Sequence, residues 1–289
     1  MWGRRTIPRC GAIAVPRVRR GIIPAMRHDG RAADELRKVM VQRNFTQAPA
    51  GSVLWQQGNT VLLCTASVTR ELPPWFRDDR PGGWITCEYV MLPASTPQRK
   101  PWPKTGHTDS RGTEIQRLIG RTLRAVIDLT KIGPHTIAVD CQVLQADGGT
   151  RTAAICGAYV ALADALAKLP PDMPLPTGAR AAAAGQPVTA RTDPAHYDPK
   201  HALTDQLAAV SVGIVDGEIR LDLDYHDDSR ADVDMNIAYT AGGKFVELQG
   251  SAENAGGGFD LAQMNQMVEL GTRGCRTLMQ LQNGALGRG

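Results

Sequence analysis

Residues 150–169, TRTAAICGAYVALADALAKL, read as a helix that is apolar on almost every side. Only Arg151, Asp164 and Lys168 are charged. A helix without a polar face must be covered all round, so other layers must enclose this one. The rest of the chain supplies them. Residues 51–57 and 60–68 alternate about a Gly58-Asn59 turn and predict a hairpin. Residues 84–92 and 136–144 predict further strands, as do 206–215, 218–225, 232–239 and 244–249, punctuated by Asp216-Gly217 and Gly242-Gly243. The spacing of Ile115, Leu118, Ile119, Leu123, Val126 and Ile127 predicts an amphipathic helix over 111–129. Leu261, Met264, Met267, Val268, Cys275, Leu278 and Met279 predict another over 260–281. The expected class is α/β, a two-layer sandwich of a mixed sheet with helices on one face.

With 42 % hydrophobic residues, the 289-residue chain has enough apolar material for a core. No apolar run approaches the ~18 residues of a membrane helix, so no membrane partner is expected. Residues 1–26 carry six arginines and no acid; of the 33 basic residues, 27 then remain against 29 acids. The body is not basic, so any polyanion must be held by a local patch. The first 26 residues are expected to form a disordered basic extension, with Met26 near the true start. Residues 27–289 are expected to form one domain: a part to about 169, a Pro-rich insertion or linker over 170–206, and a part over 207–289. Cysteines 10, 64, 87, 141, 156 and 275 form no Cys-x-x-Cys pair. Those within apolar stretches read as reduced core residues of a cytoplasmic protein.

Two helix starts stand out. Arg111 opens one helix and Thr150-Arg151 the other, each beside Gly, Ser or Thr. A helix N-terminus is the unfavourable end for a cation, so a negative ligand between the two is one explanation. The N–H groups of Gly149, Thr150 and Arg151 can face a phosphate oxygen, and an arginine adds charge-assisted bonds. Solvated first-turn residues beside an ordinary Gly-Gly turn are the other explanation, and spacing alone leaves both open.

Residues 222–234 hold six aspartates: 222, 224, 227, 228, 232 and 234. Such crowding suits a divalent cation, or else a solvated acidic turn. Asp228 and Asp234 can share one ion only if the chain folds back between them. Arg99, Lys100 and Lys104 with Trp102 form a basic loop able to touch an RNA backbone. His107, His135, His196 and His201 have no partner at a catalytic spacing and are expected at the surface.

The segments QADGGTRTA (145–153), GTEIQRLIGRTLRA (112–125), GWITCEYVMLP (83–93), AAVSVGIVDG (208–217) and DMNIAYT (234–240) occur in one order. Together they resemble bacterial ribonuclease PH and, more distantly, polynucleotide phosphorylase and the exosome ring subunits. The likeness runs from about residue 27 to the C-terminus, interrupted over about 179–200. It implies the fold of the second domain of ribosomal protein S5 and a homohexameric ring, a trimer of dimers. The implied activity is phosphorolytic 3′→5′ trimming of tRNA precursors beyond CCA. Inorganic phosphate is the co-substrate and nucleoside 5′-diphosphates the products, in a reversible reaction.

By the same resemblance, Arg111, Gly149, Thr150 and Arg151 bind phosphate. Asp228 and Asp234 serve catalysis and hold Mg²⁺, and Arg99 and Lys100 contact RNA. Four positions depart from or qualify the pattern. Ala94 and Trp102 replace basic residues, Asp227 stands where Glu is common, and Asn236 replaces the lysine of polynucleotide phosphorylase. The alternatives are a catalytically silent RNA-binding ring subunit and a metal-dependent hydrolase that uses water.

Overall fold

The first sheet grows from the hairpin about Gly58, which turns with φ near 59°. Its strands β2 (Gly51–Gln57) and β3 (Thr60–Thr69) lie antiparallel. The computed structural model describes residues 27–76, 82–102, 109–170, 197–253 and 258–288. Strand β1 (Val39–Arg43) extends the hairpin on one side. On the other side lie β5 (Thr136–Gln145) and then β4 (Trp84–Met91), with β4 parallel to β5. Helix α1 (Ser110–Arg124) covers β4, and Arg124 donates back to the Ile85 oxygen at 3.0 Å.

Helix α2 (Thr150–Ala167) is the enclosed helix that the sequence requires, with every residue from Thr152 to Leu166 buried. One face meets β2, β3 and β5, and the other meets β6 (Leu207–Val215) of a second sheet. Close approach depends on glycine: a Cβ on Gly51 would stand 1.9 Å from the Ala161 oxygen. The buried acid of α2, Asp164, receives Arg43 of β1 through both of its oxygens.

The described strands form two sheets. The second is antiparallel, in the order β7 (Glu218–Leu221), β6, β8 (Val233–Thr240), β9 (Phe245–Ala252). The C-terminal helix packs on β6, β7 and β8; it is numbered α4 (Leu261–Leu286), after a one-turn α3 (Tyr225–Asp228). A reciprocal capping box between Asp260 and Gln263 starts it.

Several expected boundaries move for identifiable reasons. The helix expected to 129 ends at Arg124, because Ile127 forms a bridge to Leu203 and Asp128 caps a 3₁₀ turn over Leu129–Ile132. The strand expected over 218–225 stops at Leu221, where Asp222 takes φ near 53° and turns the chain out of the sheet. His135, expected at the surface, is buried with Nδ1 2.7 Å from the Ile132 oxygen. The expectations for residues 1–26, for 171–196 of the linker, and for Cys10, Lys104, His107 and His196 fall outside the described residues.

Candidate active site

Strand β5 delivers the chain to α2 through the Asp147-Gly148-Gly149 turn. Both glycines have positive φ, near 71° and 64°. The turn is clamped from below. Thr60 Oγ1 donates to the Gly148 oxygen at 2.7 Å, and Arg37 donates to the Asp147 oxygen at 2.6 Å. A Cβ on Gly148 would meet the Asp224 main-chain carbon at 2.6 Å, so the turn lies directly on the segment after β7. The first turn of α2 contains no acid, nor does that of α1, where Arg111 sits. Early N–H groups of a helix have no intrahelical acceptor. Those of Gly149, Thr150 and Arg151 find no turn or strand acceptor among the described residues.

Opposite this helix start lies one face of the second sheet. Asp234 and Asn236 of β8 pair with Ser251 and Gln249 of β9. Arg151 reaches across to Gln249 Oε1 at 2.7 Å, and Glu114 approaches the same guanidinium at 3.5 Å. The cleft between these surfaces has a volume of about 1270 Å³. Arg99, Lys100, Arg111, Gly149, Thr150, Arg151, Asp228 and Asp234 all line it. Both helix starts and both aspartates therefore share one cleft, though they come from four separate parts of the chain.

Five of the six aspartates fall into two sets. Asp222 is fully buried and takes Arg37 at 2.7 and 3.1 Å. Asp224 caps α3 by accepting from the Asp227 N–H, and it meets Arg31 and His28. Asp227 lies between Arg27 at 2.6 Å and Arg220 at 2.9 Å. Guanidinium groups thus balance these three. Donor atoms of His28, Asp224, His226 and Asp227 lie within 4.8 Å of one another. Both of those carboxylates are already engaged by arginines, so the group reads as a latch between residue 28 and α3.

Asp228 and Asp234 form the other set. Helix α3 and the turn after it fold the chain back, and both aspartates line the cleft. The Asp234 carboxyl is pushed up to about 6, first by burial and then by repulsion from Asp228. Asp228 is also raised, chiefly by burial. Asn236 donates to Asp234 Oδ2 at 3.1 Å, whereas buried Oδ1 has no hydrogen-bond partner among the described residues. An oxygen-rich pair with an unsatisfied buried atom fits a hard divalent cation.

Sequence reasoning missed Arg27, Arg31 and Arg37, whose charges fix the turns bearing the site. Four basic residues within 27–38, facing no assigned partner, were the available signal. It also missed Tyr89, Gln249 and Glu253; the last two line the cleft, and Tyr89 donates to Thr150.

Comparison with known proteins gives the lineage. Residues 35–168 match the model of the 3′ exoribonuclease family, domain 1, and residues 205–274 match domain 2. The chain belongs to the 3′ exoribonuclease family. It is 48 % identical over 262 residues to ribonuclease PH of Corynebacterium efficiens, covering 90 % of this chain and 96 % of that one. Ribonuclease PH of Nocardia farcinica is 49 % identical over 261 residues, covering 90 % and 92 %. That of Mycobacterium tuberculosis is 48 % identical over 261 residues, covering 90 % and 91 %.

Solved structures agree on the fold. Rice Rrp46 superposes with a TM-score of 0.66 at 18 % identity, over 90 % of this chain and all of that one. A chain of the Archaeoglobus fulgidus exosome, solved with RNA bound to the active site, gives 0.68 at 22 % identity, over 89 % and 92 %. The expected α/β class and the resemblance to ribonuclease PH both hold.

Proposed function

We propose that this protein is a phosphorolytic 3′→5′ exoribonuclease of the ribonuclease PH type, acting on the 3′ tails of tRNA precursors beyond CCA. The observation that supports this is the meeting in one cleft of both helix starts and the carboxylates of Asp228 and Asp234. Arg111, the open N–H groups at Gly149–Arg151 and the Thr150 hydroxyl bind inorganic phosphate. A phosphate oxygen attacks the terminal phosphodiester phosphorus, and the bond to the 3′-oxygen of the preceding nucleotide breaks. The departing oxygen takes a proton, and the terminal nucleotide leaves as its 5′-diphosphate. Holding phosphate in line with that bond is chiefly a positioning task.

Asp228 and Asp234 would hold Mg²⁺, which would supply neutralisation of charge developing on the phosphoryl oxygens. Asp228 either shares that ion or protonates the departing oxygen. Arg99 and Lys100, exposed on the loop after β4, contact the RNA backbone.

We further infer a homohexameric ring, a trimer of dimers, in the cytoplasm. Exposed Met40, Phe245 and Leu248 on edge strands β1 and β9 support self-association. The five described cysteines, buried and free, suit a reducing compartment. No helix among the described residues is long and apolar enough to cross a membrane. A sedimentation measurement showing only monomer at high concentration would contradict the ring.

The deciding assay incubates a tRNA precursor with and without phosphate and identifies the product. Nucleoside diphosphates formed only with phosphate are expected. Monophosphates would mean hydrolysis by water, and no product with intact RNA binding would mean a silent ring subunit.

A further inference from the structure

Tyr89 lies on β4, which runs parallel to β5 with Tyr89 opposite Cys141. Its ring is buried, yet its hydroxyl reaches the start of α2 and donates to Thr150 Oγ1 at 2.9 Å. Burial raises the phenol above its ordinary value, and the fields of Arg111 and Arg151 oppose that rise. The phenol therefore keeps its proton at neutral pH, close to both arginines.

A threonine hydroxyl has one proton and two lone pairs. Two residues on, Thr152 spends its proton on the Gly149 oxygen at 3.0 Å. Thr150 differs, because it accepts from Tyr89 and has no acceptor for its own proton among the described residues. It also lines the cleft. Without the phenol, Thr150 would be free to turn its hydroxyl away from the cleft.

We propose that Tyr89 is a positioning residue for the phosphate cradle: by donating to Thr150 Oγ1 it fixes that hydroxyl so that its proton faces an oxyanion in the cleft. The phenol acts through Thr150, on the nucleophile side of the cleft. This rests on the phosphate-binding role of Thr150 given above. Phosphate should therefore sense the phenol, whereas RNA should not.

Three variants separate the possibilities: Tyr89→Phe, Thr150→Ala and the double variant. Each is assayed by phosphorolysis of a tRNA precursor under varied phosphate and varied RNA, with a thermal melt to verify folding. Tyr89→Phe keeps the ring and its packing. It is expected to raise KM for phosphate about three- to tenfold, the range of one hydrogen bond, and to leave KM for RNA unchanged. The double variant is expected to match Thr150→Ala alone, because the phenol has no other route of action.

An unchanged phosphate KM in Tyr89→Phe overturns the proposal. So does an equal effect of Tyr89→Phe with or without the Thr150 hydroxyl, or an equal rise in both KM values. If Thr150→Ala itself leaves phosphate KM unchanged, the cradle assignment fails and the role of Tyr89 falls with it.

Discussion

Asp222 grips Arg37 through both carboxylate oxygens, and the same guanidinium donates to the Asp147 oxygen in the turn that opens α2. The pair is buried, with Asp222 at 0 % and Arg37 at 6 % exposure. Removing one partner leaves the other charge uncompensated in a low-dielectric site. Arg37→Ala is therefore expected to cost about 3–5 kcal/mol of folding stability. Urea unfolding would measure this, and a loss below about 1 kcal/mol, typical of exposed pairs, would show that water reaches the site.

That pair marks a limit of sequence reading. The hairpin about Gly58, the enclosed α2 and the two helix starts were legible because each is a local pattern of period, turn residue or charge. The division of the aspartate run was not. Which of six neighbouring carboxylates meets an arginine depends on partners some 185 to 200 positions away, at Arg27, Arg31 and Arg37. The end of β7 was hidden for a similar reason. Residues 222–225 continue the alternation, but Asp222 leaves the sheet to reach Arg37. Arg43 and Asp164 likewise make sense of β1 and the acid in α2 only once both are in place.

Acid should unfold the protein through the first set of aspartates. Burial alone would raise Asp222, but the charge of Arg37 and its hydrogen bonds prevail and hold it below its ordinary value of 3.8. Asp224 is lowered as well, against its own burial, by the Asp227 N–H and His28. A carboxylate lowered in the folded state contributes stability that is present above its unfolded value and is lost as pH falls through the folded value. The melting temperature is thus expected to decline steeply below about pH 4. Scans across that range would test this, and Arg37→Ala should flatten the decline.

Asp234 carries the opposite sign. Its folded value near 6 exceeds the ordinary 3.8, so its ionised form opposes folding once pH rises through that window. In chelator, Asp234→Asn is expected to raise stability at about pH 8 by up to about 3 kcal/mol, the equivalent of two pH units. The gain should shrink to well under about 1 kcal/mol at about pH 4, where the folded carboxyl is protonated and the unfolded one is about half protonated. The same variant should lose activity and the stabilising response to Mg²⁺. An equal gain at both pH values would mean that Asn improves packing and leaves electrostatics aside.

Gly148 tests the geometry of the turn. Its φ is near 71°, and an added Cβ would meet the Asp224 carbon at 2.6 Å and the Leu223 oxygen at 2.8 Å. Backbone on both sides leaves nothing flexible to yield. Gly148→Ala is expected to destabilise by more than about 1 kcal/mol and to raise KM for phosphate, because the cradle must lift away from residues 223–225. Paired thermal melts and phosphate titrations would reveal it. Normal behaviour in both would mean that the turn does not need its contact with that segment.

Arg151 connects the two walls of the cleft, and its removal distinguishes nucleophile binding from RNA binding. Its side chain is 18 % exposed and held by Gln249 and Glu114. Losing a charge-assisted bond at such a site costs about 1.5–3 kcal/mol. That converts to a rise in KM for phosphate between about tenfold and about a hundredfold in Arg151→Ala. RNA affinity is summed over many backbone contacts and should change little. Phosphate titrations of turnover, beside filter binding of a tRNA precursor, separate the two. If RNA affinity collapsed while phosphate dependence stayed normal, the guanidinium would belong to the RNA track and the nucleophile would have to sit nearer Arg111.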